Sequence, residues 1–136
     1  DSGTATTFDV VSAEGTYLGG AIAPGIELSA EALHRAAAQL PRVSVEVPRA
    51  AIGKTTVEAM RSGVYFGYIG LIDEMVRQIQ KELGGDAMVI ATGGMAPFFA
   101  REVAVFDDVI TDLTLQGLRL TWLASCGAQQ NGPEPK

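Results

Sequence analysis

The sequence has one cysteine, Cys126, and one histidine, His34. One thiol closes no internal disulfide, and one thiol with one imidazole is too few ligands for a zinc cage, so a reducing, cytoplasmic setting is expected. Basic residues are also few: ten Lys plus Arg against sixteen Asp plus Glu leave a formal net charge of −6. No basic cluster offsets that balance, which disfavours a nucleic-acid partner. Long apolar runs are missing too. The longest, Val64 to Ile72, has nine residues including two glycines, far short of the ~20 that a membrane-spanning helix needs, and the chain is expected to be soluble. Its start has neither a charged nor an apolar leader region, so it does not read as a signal peptide. Residue 1 is Asp rather than Met, as at the cut edge of a longer chain or after processing.

Against these absences, 47% of the 136 residues are hydrophobic and 19% charged, a balance that suits one packed domain. That domain is expected over residues 1–126. Residues 127–136 (GAQQNGPEPK) contain no large apolar side chain and read as a disordered tail.

Changes of hydrophobic period mark the elements. A strand at Phe8 to Val11, a turn at Glu14-Gly15 and a strand at Tyr17 to Ile22 read as a hairpin. Ser29 is positioned to cap a helix running to Leu40, with Pro41 ending it. Val43, Val45 and Val47 alternate with polar neighbours as a short strand limited by Pro48. Thr55 and Glu58 have capping-box spacing, and a proline-free stretch follows as far as Gly84-Gly85, which predicts a helix of some seven turns. Gly63, Gly67 and Gly70 fall on one stripe of it, suited either to close packing within the chain or to a subunit interface. Ala87 to Ala91 reads as a strand buried on both faces. It leads through Thr92-Gly93-Gly94 to Pro97 at a helix start, an arrangement that is either a tight turn or a place for backbone N–H groups to meet a nucleotide. A last helix, near Leu113 to Ala124, has Leu118 and Trp122 on one face, and Trp122 is expected in the core.

The densest chemistry is in residues 1–9 (DSGTATTFD). A glycine lets backbone approach a ligand, threonine hydroxyls donate to phosphate oxygens, and an aspartate offers a cation a hard oxygen. A threonine-rich strand with a turn at Gly3 would look the same.

The runs 1–9, 17–25 (YLGGAIAPG), 40–43 (LPRV), 52–56 (IGKTT), 63–68 (GVYFGY), 91–94 (ATGG) and 113–118 (LTLQGL) occur in one order. Taken together they resemble the type III pantothenate kinases over nearly the whole chain. The resemblance implies an α/β fold, the C-terminal ribonuclease-H-like half of the actin, sugar-kinase and Hsp70 superfamily, with a mixed sheet and flanking helices. It implies ATP with Mg²⁺, a monovalent cation (potassium or ammonium) and pantothenate as ligands, and a homodimer of the complete unit. By position, Asp1 would bind the monovalent cation, Gly3 and Thr4 would meet the ATP phosphates, Gly93 and Gly94 would border the adenosine, and Thr56 would contact pantothenate across the dimer interface.

The family's first phosphate loop and its Gly-x-Asp-Arg segment, the source of the general base, are absent from the sequence. No catalytic residue is therefore expected in this chain. An N-terminal half, on the same or another polypeptide, would supply it, and this half alone would be inactive. His34, Asp73, Asp86, Asp107 and Asp108 are expected to be solvated surface groups. The competing expectation is a non-catalytic homologue acting as a regulatory or transcription-accessory binding subunit.

Overall fold

The computed structural model describes residues 1–37 and 39–129, without the side chains of 127–129. The hairpin forms as expected: β1 (Ala5–Val11) pairs antiparallel with β2 (Tyr17–Pro24), Phe8 opposite Ala21, with a register shift between Val10 and Val11. Period-two alternation turns Thr6 and Phe8 toward the core.

Helix α1 (Ile26–Ala36) starts three residues before the expected cap. Tertiary contact overrides the local signal here. Gly25 N donates to Thr4 O at 3.1 Å, fixing the end of β2, and Ile26 enters the core at once. The Ser29 hydroxyl donates back to Gly25 O instead of capping. The helix also ends ahead of Pro41. Past it, Glu31 holds Arg42 at 2.8 Å and Arg35 at 2.9 Å, and its carboxyl falls to about 2, chiefly through the Arg42 hydrogen bond. Residues 41–47 form no strand. Side chains hold this segment, through Arg61 to Glu46 and Ser44 and through Val45 against the core.

The long helix α2 (Thr56–Leu83) matches its local signals. The Thr55 hydroxyl accepts from Glu58 N at 3.2 Å. Glu58 reaches past the cap to Lys54 N at 2.8 Å, a residue earlier than in the usual reciprocal box. Gly84, at φ 75°, ends the helix in the left-handed region. Tyr65, Tyr68, Ile72 and Val76 form the buried stripe of α2, joined in the core by Ile26, Phe99 and Val103. Gly63, Gly67 and Gly70 lie off that stripe, and among the described residues nothing lies within 4 Å of a Cβ placed on any of them. Close packing within this chain is thus not their use.

The second sheet is smaller than expected. β3 (Ile90–Ala91) pairs parallel with β4 (Asp108–Val109), and between them lies a single helical turn, α3 (Ala96–Phe99). Met88 is 71% exposed, so the 87–91 run is not buried on both faces. Nor do the strands join into one mixed sheet. β1 and residues 87–92 both line a cleft of about 490 Å³, together with Ile72 and Val76. Among the described residues the fold is mixed α/β with two two-stranded sheets.

Helix α4 (Leu113–Gln129) extends beyond the expected Ala124, into the first residues assigned to a tail. Residues 130–136, the rest of that tail, lie outside the described residues. Trp122 is 65% exposed and Leu118 61%, so neither is in the core: no described residue covers that helix face. Among the described residues no helix is long and apolar enough to cross a membrane.

Candidate functional site

The start of the chain folds back on β1. Asp1 and Thr7 exchange backbone hydrogen bonds at 2.8 and 3.0 Å, and Gly3 N donates to Ala5 O at 3.0 Å. This small turn leaves Asp1, Gly3 and Thr4 exposed at the end of the hairpin. The turn is also tied to the chain after β3: Ser2 N donates to Thr92 O at 2.8 Å and Met95 N to Ser2 O at 3.1 Å. Two segments some ninety residues apart therefore meet at Ser2.

Gly93 makes that meeting possible. Its φ of 94° is one that side-chain-bearing residues rarely adopt, and a Cβ there would overlap Asp1 Oδ1 and come within 2.6 Å of Ser2 O. Asp1, Gly3 and Thr4 are thus on one small turn, with Gly93 packed against it and Gly94 following in the open. Five of the six expected site residues come together.

The sixth, Thr56, does not join them. It is the exposed first residue of α2, whereas the α2 residue that touches the turn is Tyr68. The two are twelve positions apart on the helix, about 18 Å along its axis. Thr56 has a helix N-terminus around it, where free N–H groups favour a polar or anionic neighbour.

Among the described residues no hydrogen-bond donor engages the Asp1 carboxylate, and no group of three His, Cys, Asp or Glu could hold a metal ion. One carboxylate beside a backbone carbonyl is hard-oxygen chemistry, which suits an alkali or alkaline-earth cation and not a transition metal. The one-turn α3 adds almost no helix dipole, so any phosphate binding here would rely on the turn's own N–H and hydroxyl groups.

Of the other candidate acids and bases, Asp86, Asp107 and Asp108 are exposed as expected, whereas His34 and Asp73 are half-buried. His34 Nδ1 lies 2.7 Å from Leu40 O, and Asp107 accepts from Val89 N at 2.7 Å. Asp73 Oδ1 is buried with no partner among the described residues. Asp108 caps its own strand through Val109 N. Sequence reasoning missed Tyr68, whose buried hydroxyl meets Thr6 Oγ1 and lies 3.3 Å from Ser2 Oγ. A tyrosine at helical spacing in a hydrophobic stripe looks like core. Its polar partners are 62 and 66 residues away, so no local pattern could have shown it.

The family model for type III pantothenate kinases matches residues 1–78, more than half of the chain. The chain belongs to the type III pantothenate kinase family. It is 58% identical over 118 residues to the type III pantothenate kinase of Paramagnetospirillum magneticum, covering 87% of this chain and 45% of that protein. It is 59% identical over 120 residues to that of Cereibacter sphaeroides, 88% of this chain and 47% of that one. With the Dehalococcoides mccartyi kinase it shares 57% over 122 residues, 90% and 46%. The chain thus spans less than half the length of these relatives. Its fold is similar to the crystal structure of a conserved Campylobacter jejuni protein assigned to the Baf family of transcriptional activators, with a TM-score of 0.63 at 23% identity, over 93% of this chain and 56% of that one.

Proposed function

We propose that this chain is the C-terminal half of an enzyme that transfers the γ-phosphoryl group of ATP to the primary hydroxyl of pantothenate. The product would be 4′-phosphopantothenate, at the first step of coenzyme A synthesis. The observation that carries this reading is the convergence of Asp1, Gly3 and Thr4 with Gly93 and Gly94 in a member of this family. The fold assigned to the whole is that of the actin, sugar-kinase and Hsp70 superfamily, of which residues 1–126 would form one half.

In this reading Asp1 holds a potassium or ammonium ion, and the Gly3 and Thr4 turn meets the ATP phosphates. Gly93 and Gly94 border the adenosine. Phosphoryl transfer depends mostly on positioning and charge stabilisation, and the Mg²⁺ that accompanies ATP supplies further charge neutralisation when bound. The general base belongs to an N-terminal half that this sequence does not contain. Thr56, about 18 Å along α2 from the turn's contact, serves pantothenate in the site of a second subunit. A homodimer fits that distance and the open face at Gly63, Gly67 and Gly70. The setting assigned is the cytoplasm.

The test is a coupled assay of ADP release with mass detection of 4′-phosphopantothenate, run on the complete protein and on the 136-residue chain. The complete protein should turn over only with pantothenate and a monovalent cation, and the chain alone should stay at background. ATP binding by the complete protein without any phosphorylated pantothenate would favour a non-catalytic accessory subunit. Turnover by the chain alone would overturn the assignment of the base to the other half.

A further inference from the structure

The hydroxyls of Ser2, Thr6 and Tyr68 form a closed group beneath the turn that carries Asp1, Gly3 and Thr4. Tyr68 is 4% exposed, Thr6 4% and Ser2 7%. Buried hydroxyls need partners, and these three find one another. The phenol is the hub: Tyr68 OH meets Thr6 Oγ1 on β1 and lies 3.3 Å from Ser2 Oγ. A phenol has one proton and can also accept, so it can donate to one hydroxyl while accepting from the other. The ring itself packs against Phe99, centroids 4.9 Å apart, which fixes where the hydroxyl points.

Ser2 is held at every polar group. Its N–H goes to Thr92 O, its carbonyl accepts from Met95 N, and its hydroxyl meets Tyr68. It stands between Asp1 and Gly3, the residues to which a cation and a phosphate role are given above. Of these three ties, the one to α2 is a side-chain tie and can be cut without altering the backbone.

We propose that Tyr68 is a positioning residue: its hydroxyl holds Ser2 and Thr6 so that the Asp1 carboxylate and the Gly3 and Thr4 turn keep the geometry needed for a monovalent cation and the ATP phosphates. The inference rests on the kinase reading for the roles of Asp1 and Thr4, and on the hydroxyl group alone for the tether. Tyr65 is the internal control. It is on the same helix and is as deeply buried, but its hydroxyl has no partner among the described residues.

The experiment compares Tyr68→Phe with Tyr65→Phe in the complete protein, varying ATP, pantothenate and potassium in turn. In Tyr68→Phe the potassium needed for half-activation and the KM for ATP should each rise about tenfold, the scale of a lost hydrogen bond with stranded partners. The KM for pantothenate should stay within about twofold, because Thr56 is remote from the tether. Tyr65→Phe should match the wild type. Thr6→Val should copy Tyr68→Phe, and Thr6→Ser, which keeps the hydroxyl, should restore the wild-type response; this pair also serves if Tyr68→Phe fails to fold. Hydrogen–deuterium exchange at residues 1–7 should quicken in Tyr68→Phe and not in Tyr65→Phe. Equal exchange in the two variants would overturn the tether whatever the activity. Faster exchange with unchanged potassium and ATP constants, or with all three constants raised alike, would overturn the positioning role. A wild-type protein without pantothenate phosphorylation would sink the kinase reading and with it the positioning role, leaving the tether to the exchange result.

Discussion

α2 and α4 are both rich in apolar residues, yet the chain treats them in opposite ways. α2 buries Tyr65, Tyr68, Ile72 and Val76 on one stripe. On α4, Leu115, Leu118, Leu120 and Trp122 are each more than 60% exposed. Spacing does not separate the two helices, since Leu115, Leu118 and Trp122 also recur at three- and four-residue intervals and make one face. The difference is in what each face meets: the α2 stripe packs on Ile26, Phe99 and Val103, whereas among the described residues nothing covers the face of α4. The core of this chain therefore accounts for the sequence of α2 and leaves that of α4 without a structural account among the described residues.

The strongest way to break the contrast is at the ring beneath α2. Phe99 is fully buried against Tyr65 and Tyr68, and Phe99→Ala should cost about 3–5 kcal/mol in urea unfolding. A loss no larger than that at an exposed α4 position would show that the stripe is not the core. Next comes Gly93→Ala. A strained left-handed residue costs about 1–3 kcal/mol, and the overlap with Asp1 and Ser2 adds to it, so both the melting temperature and ATP binding should fall. Thr55→Ala removes the cap of α2 and should cost about 1 kcal/mol, with Thr55→Ser close to wild type in the same melts.

A smaller effect is confined to acid. The folded state holds the Glu31 carboxyl at about 2, below its ordinary 4.5, so the stabilisation is present above about 4.5 and is lost as pH falls toward 2. Melting curves between pH 5 and pH 2 should show this loss in the wild type and less of it in Glu31→Gln. Since Arg35 and Arg42 are mostly exposed, added salt should shrink the difference. Smallest of all is Trp122→Ser on α4, expected within about 0.5 kcal/mol in the 136-residue chain. A large loss there would mean that α4 is packed after all.

What was legible in the sequence followed the range of the forces. α2 could be read end to end because Thr55, Glu58 and Gly84 act within one turn of the residues they serve. The hairpin was legible through its turn and its alternation. α1 was misplaced because Ile26 is drawn into the core and Gly25 is bonded to Thr4, neither of which shows in a local window. The valines at 43, 45 and 47 have strand chemistry and no ladder to join. At the site, composition singled out residues 1–9, and family resemblance linked them to Gly93. The reason for the link, a Cβ-free surface that must fit against Asp1 and Ser2, is a contact across the fold. Tyr68 was missed for the same reason, since its partners are on another element.

The length of α2 has a mechanical consequence. Twenty-eight residues make a rod of about 42 Å, gripped near its middle by Tyr65, Tyr68 and Phe99. Tyr68 acts as a fulcrum and the Thr56 end as a lever arm of about 18 Å, so a tilt of roughly 5° would sweep Thr56 through about 1.6 Å. Displacements of about 1 Å can change rates by ~10²-fold. The ring packing of Tyr65 and Tyr68 on Phe99, which loss of the Tyr68 hydroxyl leaves in place, is therefore what holds the far tip of the helix still.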